Sequence, residues 1–168
     1  DKDMQLIRFI QKACGYALSG DVSEQCLFIL WGTGANGKST FLNVLLQLFG
    51  DYGTSTGIET FTKKNKEQSN DLARLKGSRL VTTSELEQGS LMSESLIKSV
   101  TGEDSLTARF LYGEYFSFKP TFKIFMATNH KPKIRGADNG IWRRIKMIPF
   151  TVTIPPEQRD KKLTEKLI

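Results

Sequence analysis

The sequence predicts an α/β fold with a mainly parallel central sheet, and three observations support this prediction. Short apolar segments, typical of strands buried on both faces, alternate with segments of helical periodicity. The chain has 168 residues, enough to bury one substantial core. Its hydrophobic fraction of 39% and charged fraction of 25% indicate a globular domain rather than a disordered chain. Alternating strands and helices favour a parallel sheet covered by helices.

The first predicted elements are a helix, a buried strand and a second helix. Apolar residues at helical spacing predict an amphipathic helix over residues 4–18, which ends at Gly20. Residues 26–31 are wholly apolar and predict a strand buried on both faces. A glycine-rich turn follows, and residues 39–49 then predict a helix that ends at Gly50.

The later elements follow from the same patterns. We predict a loop or frayed helix at 62–70, strands at 79–84, 123–127 and 145–150, an amphipathic helix at 91–100, and a β-hairpin of 106–112 with 115–118. We divide the chain into an N-terminal helical segment at 1–24, a core domain at 25–150 and the start of a C-terminal helical segment at 151–168. Because the helical pattern from 155 onwards does not finish, we expect the chain to be a fragment.

Composition excludes several classes of protein. No window approaches 18 consecutive apolar residues, so we expect no membrane span and no membrane partner. The first residues lack the apolar segment of a secretion signal. Two cysteines, Cys14 and Cys26, form no C-x-x-C pair, and His130 is the single histidine. We therefore expect reduced thiols in a cytoplasmic protein, with neither a disulfide scaffold nor a histidine-rich metal centre.

The net charge of +6 is unevenly distributed along the chain. Residues 85–114 hold six acids and two bases, whereas residues 119–146 hold eight bases and one acid, a local charge of +7. A concentrated basic region favours a polyanion such as nucleic acid or nucleotide phosphate as partner. A solvated basic face is the alternative interpretation.

Residues 32–39, GTGANGKS, match the pattern G-x-x-x-x-G-K-[ST] at every fixed position and lie between an apolar strand and a helix. Glycines allow successive amides to turn towards phosphate oxygens, and the helix N-terminus adds positive potential. Lys38 can reach the β- and γ-phosphates, and the Ser39 hydroxyl can bind Mg²⁺. A structural glycine-rich turn is the alternative. The predicted nucleoside triphosphate-binding residues are Gly32, Thr33, Gly34, Ala35, Asn36, Gly37, Lys38, Ser39 and Thr40.

Polar residues follow two of the predicted strands, where ligands gather in open α/β sheets. Glu85 follows the strand at 79–84 and is the first candidate for general base or metal contact, with Glu87 second. Asn129 follows the strand at 123–127, and its amide can hydrogen-bond an attacking water or the γ-phosphate. An acidic surface loop and an ordinary turn asparagine are the respective alternatives.

Two further segments carry arginines. Arg143 and Arg144 precede the last strand and can stabilise a transferring phosphoryl group, or form a salt-bridged surface pair. The predicted hairpin combines Arg109 with aromatic residues that include Tyr112. Aromatic faces can stack on bases, although cross-strand packing is the more usual role of aromatic residues in a hairpin.

Taken in order, these segments resemble the helicase domain of the phage/plasmid primase-helicase family, a branch of the superfamily 3 helicases within the AAA+ ATPases. The resemblance spans about residues 5–150 and rests on 32–42, 73–85, 98–110, 118–120, 127–130 and 142–150. It implies an AAA+ type sandwich with a β-hairpin insertion. It also implies a helicase motor that hydrolyses Mg-ATP to translocate on single-stranded DNA and unwind duplex in phage, plasmid or mobile-element replication.

The resemblance implies a role for each candidate. Lys38 and Ser39 would be Walker A residues, Glu85 with Glu87 would form Walker B, and Asn129 would be sensor 1. One of Arg143 or Arg144 would complete the neighbouring site in a homo-hexameric ring. A primase-polymerase part would lie in the same full-length chain. Residues 98–119 would face single-stranded DNA, and the candidate contacts are Lys98, Arg109, Tyr112 and Lys119.

Three points stay open at this level. Thr82, Thr83 and Ser84 precede Glu85, and Leu86 separates the two acids, so the sequence does not assign the general base between them. A small-molecule or nucleotide kinase would share the glycine-rich pattern. A nucleotide-gated DNA-binding switch or helicase loader would bind the same ligands without unwinding DNA.

Overall fold

The computed structural model of the protein describes residues 3–62, 68–84, 91–131 and 139–168. The strands are β1 (Leu27–Trp31), β2 (Gly53–Ser55), β3 (Leu80–Ser84), β4 (Leu106–Ala108), β5 (Phe116–Phe118), β6 (Lys123–Thr128) and β7 (Ile145–Pro149). The α-helices are α1 (Met4–Ser19), α2 (Lys38–Phe49), α3 (Gln68–Ala73), α4 (Glu94–Val100), α5 (Asn139–Trp142) and α6 (Leu163–Lys166). Short 3₁₀ helices span Gly50–Tyr52, Ile58–Phe61 and Pro156–Gln158.

A five-stranded sheet forms the centre of the described part of the chain. Its strand order is β2-β3-β6-β1-β7, and all four pairings are parallel. Every residue of β6 is buried, as expected for a strand covered on both faces. The predicted α/β fold with a mainly parallel sheet is therefore confirmed. Because all five strands run the same way, their carboxyl ends lie along one edge of the sheet.

The core lies on both faces of this sheet, since successive side chains of a strand point to opposite faces. Ile29 packs in a cluster with Ile97 of α4, together with residues of α3 and the β4–β5 pair. Phe28 packs in a second cluster with Ala17 of α1 and Leu42 of α2. The helices thus cover the sheet in layers and hold the ends of the strands in place.

The predicted β-hairpin is present, with shorter strands than expected. β4 and β5 pair antiparallel, from Leu106 opposite Phe118 to Ala108 opposite Phe116. The ladder ends there because the chain turns through residues 109–115, where Tyr112 adopts a left-handed φ of +62°. The hairpin forms a separate two-stranded sheet beside the parallel one.

Several element bounds differ from the expectations. The first helix is present, capped by the Asp3 carboxylate, which accepts from the amides of Gln5 and Leu6 at 3.1 and 3.0 Å. Strand β2 and helix α5 were not predicted, because three or four residues give no readable period. The helix predicted at 91–100 begins only at Glu94.

The expectation of one continuous helix over 155–168 is wrong. Only Pro156–Gln158 and Leu163–Lys166 are helical, and Arg159 between them is extended, with φ −79° and ψ 117°. No residue of either short helix is buried, so packing does not stabilise a longer one. None of the helices in the described ranges combines the length and the hydropathy needed to cross a membrane.

Candidate functional site at the carboxyl edge of the sheet

Residues 32–39, here called the glycine-rich loop, connect β1 to α2. Gly34 and Gly37 have φ values of +116° and +84°, and Ala35 has a φ of +48°. These left-handed conformations suit glycine, and backbone of this kind lets successive amides converge on an anion. Gly37 is the N-cap of α2, and no side chain within the described ranges caps that helix. The first amides of α2 can therefore donate hydrogen bonds to an anion.

The loop packs closely against the chain that follows β7. The amide of Phe150 donates to the carbonyl of Trp31 at 2.7 Å, and the amide of Ile154 donates to the carbonyl of Ala35 at 2.8 Å. A Cβ on Gly32 would lie 1.9 Å from the Phe150 carbonyl oxygen. Gly32 is therefore required by this close approach of two backbone segments.

Lys38 lies at the centre of the site, with a side chain that is only 6% exposed. Its ammonium donates to the carbonyl of Gly32 at 2.7 Å, to Oδ1 of Asn36 at 2.9 Å and to Oδ1 of Asn129 at 3.1 Å. An ammonium has three hydrogens, so these three acceptors use all of them. Burial lowers the pKa of Lys38 from its ordinary value.

Asn129 reaches the loop because β6 and β1 are neighbours in the sheet. Trp31 pairs with Thr128, and the amide of Gly32 donates to the Thr128 carbonyl at 3.2 Å. The Thr128 hydroxyl bridges to the backbone of His130, accepting from its amide at 3.1 Å and donating to its carbonyl at 2.7 Å. The structure thus brings together Lys38 and Asn129, which are 91 residues apart in sequence.

A cavity of about 80 Å³ opens beside the start of α2. Its lining is rich in hydroxyl groups and comprises Ser39, Leu42, Asn43, Leu46, Ser55, Thr82, Thr83 and Ser84. The Thr83 hydroxyl is buried and has no hydrogen-bond partner among the described residues. Hydroxyl oxygens can bind Mg²⁺ directly or accept hydrogen bonds from its bound waters, so the residues present fit this ion. Glu85 and Glu87 lie outside the described residues, directly after the strand end that lines the cavity.

The two arginines lie at the opposite edge of the sheet, because they precede the first residue of β7. Arg144 is 9% exposed and donates to the Thr101 hydroxyl at 3.1 Å, the Gly140 carbonyl at 2.7 Å and Oε1 of Gln25 at 3.0 Å. Arg143 is exposed and also donates to the Gln25 side chain. Neither arginine is therefore part of the loop site of its own chain.

The residues between β4 and β5 are largely exposed. Tyr112 is 98% exposed, and the Arg109 guanidinium lies 4.7 Å from the centre of the Tyr115 ring. In contrast, Phe116 lies 5.7 Å from the Phe110 ring and packs on the core. The segment thus holds both exposed aromatic residues, as base stacking would need, and packed aromatic residues, as in cross-strand packing. Of the other candidates, Lys119 is exposed after β5 and Lys98 is half-buried in the last turn of α4.

Sequence reasoning placed Asn36 in the loop without giving its side chain a role, and it missed Gln25. The Asn36 amide donates to the Phe150 carbonyl at 2.7 Å while its oxygen accepts from Lys38. Gln25, with a left-handed φ of +47°, accepts from both arginines. Asn36 occupies a variable position of the loop pattern, and Gln25 meets Arg144 across 119 residues, so no local signal shows the contacts of either side chain.

Fold and site define an α/β protein in which a glycine-rich loop leads from a central parallel strand into a helix, with an antiparallel hairpin beside the sheet. The family of unknown function DUF5906 matches residues 30–144, and the chain belongs to that family.

Two viral proteins are similar in sequence. The "Putative helicase L207/L206" of Acanthamoeba polyphaga mimivirus is 38% identical over 153 residues, which cover 89% of this chain and 16% of the viral protein. The "Putative helicase 022R" of Frog virus 3 is 30% identical over 153 residues, covering 86% of this chain and 16% of that protein. The chain thus spans about a sixth of the length of each relative.

A solved structure, the apo form of the NrS-1 C-terminal region, has a similar fold. It superposes with a TM-score of 0.66 at 16% sequence identity, over 86% of this chain and 34% of that one. The superposed part is about a third of that solved region.

Proposed function

We propose that the protein is the motor domain of an ATP-dependent DNA helicase of AAA+ superfamily 3 type, acting in viral or mobile-element replication. The names of the two viral relatives support a helicase-related role. The observation that carries the proposal is the buried Lys38 ammonium, which lies between the glycine-rich loop and the Asn129 side chain. A cation at the start of a helix, beside a loop of inward-turned amides, is suited to a triphosphate.

Lys38 has no spare hydrogen, so it must exchange one protein acceptor for a phosphate oxygen when ATP binds. The contact to Asn129 is the longest of the three at 3.1 Å, and Asn129 is the acceptor outside the loop. We infer that Lys38 releases Asn129. The freed amide can then donate to the γ-phosphate or orient the attacking water.

Ser39 and the acids after β3 are the proposed Mg²⁺ residues. When bound, Mg²⁺ withdraws negative charge from the β- and γ-phosphates. The Ser39 hydroxyl lines the hydroxyl-rich cavity, and Glu85 follows Ser84 at the same strand end. We propose Glu85 as metal contact and general base, with Glu87 as the alternative base. Comparing turnover of Glu85→Gln with that of Glu87→Gln assigns the role.

The proposed ring contact is Arg143 rather than Arg144. Arg144 is buried and satisfied within its own chain, so exposing it to a neighbour would break three hydrogen bonds. Arg143 is exposed at the sheet edge opposite the loop. It can therefore complete the ATP site of a neighbouring subunit in a homo-hexamer, but not the site of its own chain.

The proposed DNA contact is the exposed segment between β4 and β5. Tyr112 and Tyr115 offer ring faces for base stacking, and Arg109 offers charge for phosphates. Lys98 and Lys119 would add to the positive potential near single-stranded DNA. Because the chain spans a sixth of its viral relatives, a primase-polymerase part in the same full-length protein belongs to this proposal.

The proposal is tested by measuring ATP turnover with and without single-stranded DNA, together with the size of the protein in Mg-ATP. We expect DNA-stimulated release of free phosphate, a hexamer, and loss of turnover in Lys38→Ala by at least about a hundredfold. Full turnover in Lys38→Ala would contradict the assignment of the site. Phosphate transferred to an acceptor would indicate a kinase, and ATP binding without strand displacement on a forked duplex would indicate a non-motor switch.

A further inference from the structure

We propose that Asn36 is a positioning residue of the ATP site, which holds the Lys38 ammonium on the glycine-rich loop and ties the loop to the chain after β7. This inference rests on the proposed function, because it concerns how the site engages a triphosphate. The loop pattern leaves this position free, so the role of Asn36 comes from its contacts alone.

The orientation of the Asn36 amide is determined by both of its partners. The Phe150 carbonyl can only accept, so it must face the amide nitrogen, at 2.7 Å. The Lys38 ammonium can only donate, so it must face the amide oxygen, at 2.9 Å. A flipped amide would place two acceptors together and two donors together. An asparagine satisfies both partners at once, whereas aspartate satisfies only Lys38.

Gly32 makes room for this arrangement. A Cβ at Gly32 would lie 2.3 Å from the Asn36 amide nitrogen and 1.9 Å from the Phe150 carbonyl oxygen. The first glycine of the loop is therefore needed for the contact between Asn36 and Phe150. The Gly32 carbonyl also accepts from Lys38, so Gly32 and Asn36 form the two loop-borne contacts of the ammonium.

These contacts give Asn36 a defined effect on ATP binding. When Lys38 exchanges Asn129 for a phosphate oxygen, Gly32 and Asn36 still hold the ammonium from the loop side. Its third hydrogen is then available to the phosphate. Without Asn36, the ammonium loses one of its two loop-borne contacts. Nucleotide binding must then also order the Lys38 side chain, and this costs free energy of binding. Asn36 thus acts on the triphosphate through Lys38.

A double-mutant cycle tests this coupling in the intact protein. Binding of a fluorescent ATP analogue with Mg²⁺ is measured for wild type, Asn36→Ala, Lys38→Ala and the double variant. We expect Asn36→Ala to weaken binding about tenfold when Lys38 is present, and less than about twofold in the Lys38→Ala background. Equal weakening in both backgrounds would overturn the proposal, because Asn36 would then act independently of Lys38.

Asn36→Asp provides a second, nearly isosteric test. The carboxylate pairs with Lys38 but repels the Phe150 carbonyl, and it competes with phosphate for the ammonium. We expect KM for ATP to rise by about tenfold or more, with a smaller change in kcat. Unchanged KM would contradict the proposal. Gln47→Ala removes an exposed amide from α2, the helix that follows the loop; it serves as control and should match wild type.

Folding controls and the binding of Mg-ATP by the wild type separate the possible failures. Thermal unfolding and far-UV circular dichroism of each variant establish that it folds, and affinities are compared only among folded proteins. If the wild type does not bind Mg-ATP, the proposed function fails, and the role of Asn36 fails with it. If the wild type binds and hydrolyses ATP while the cycle shows no coupling, only the role of Asn36 fails.

Discussion

Lys123 begins β6 with a side chain that is 1% exposed, and its ammonium has no hydrogen-bond partner among the described residues. Its nitrogen lies 4.4 Å from the centre of the Tyr16 ring, which supplies a cation–π contact. Burial lowers the pKa of Lys123 from 10.5 to about 8, opposed in part by Asp21 and reinforced by Arg79. The folded protein therefore bears a cost for keeping this lysine charged at neutral pH.

The sign of the pH effect follows from this lowered pKa. Between pH of about 8 and 10.5 the folded protein releases the Lys123 proton while the unfolded chain still holds it. The contribution of Lys123 to the free energy of unfolding therefore rises with pH across this window. We expect Lys123→Met to be more stable than wild type near pH 7. The gain is about 2–4 kcal/mol from the removed burial cost, reduced by the cation–π contact that the variant loses. This advantage should shrink as the pH approaches 10.5.

Urea unfolding of both proteins from pH 7 to 10.5 measures this difference. Cys14, Cys26 and Tyr16 have pKa values raised chiefly by burial, so they make the folded state less stable as pH rises. These groups are present in both proteins, so comparing the pair removes the part of their effect that does not depend on Lys123. A stability difference that stays constant with pH would show that Lys123 does not titrate in this range.

At the scale of elements, the turn between β4 and β5 combines an exposed aromatic side chain with a strained backbone. Tyr112 is 98% exposed and has a φ of +62°, a conformation that favours glycine. Selection for stability alone would disfavour a large aromatic residue here. The position therefore suits a residue that contacts a ligand, and single-stranded DNA is the ligand of the proposed function.

Replacing Tyr112 with glycine should change stability and DNA binding in opposite directions. Tyr112→Gly relieves the left-handed strain, so we expect stability equal to or above that of wild type. Loss of base stacking should weaken binding of a fluorescent single-stranded oligonucleotide by about tenfold, with nucleotide affinity unchanged in the absence of DNA. Tyr52→Ala removes another exposed tyrosine, 59% exposed, and should leave DNA binding unchanged. Unaltered DNA binding by Tyr112→Gly would move the proposed contact elsewhere.

The elements also show what the sequence can predict. The glycine-rich loop is local, so its glycines, its lysine and its flanking strand and helix were all predicted from adjacent residues. Strand β2 has three residues, Gly53–Ser55, at the edge of the sheet, and its place is set by pairing with β3 rather than by its own pattern. The bonds from Arg144 to Gln25 and Thr101 depend on tertiary packing. A linear pattern cannot show such long-range contacts, so the proposal of Arg143 over Arg144 draws on the structure.

At the scale of the whole molecule, the sheet separates the glycine-rich loop from the two arginines. The glycine-rich loop follows Trp31 at the carboxyl end of β1, whereas Arg143 and Arg144 precede β7, whose first residue pairs with Leu27. Five residues of strand span about 16 Å, so the Arg143 guanidinium and the loop of the same chain lie at opposite ends of the sheet. An arginine at that position can act on ATP only across a contact between subunits.

Mixing two inactive variants tests this arrangement. Lys38→Ala removes the ATP site but keeps Arg143, and Arg143→Ala removes the proposed arginine but keeps Lys38. In mixed rings, an interface that takes its loop from the second variant and its arginine from the first is complete. Random assembly of equal amounts makes roughly a quarter of the interfaces complete, so we expect up to roughly a quarter of the wild-type ATP turnover. The ATPase rate is measured after the two variants are mixed and allowed to exchange, with each variant alone as control. If both variants are inactive alone and the mixture is no more active than either, Arg143 does not act between subunits.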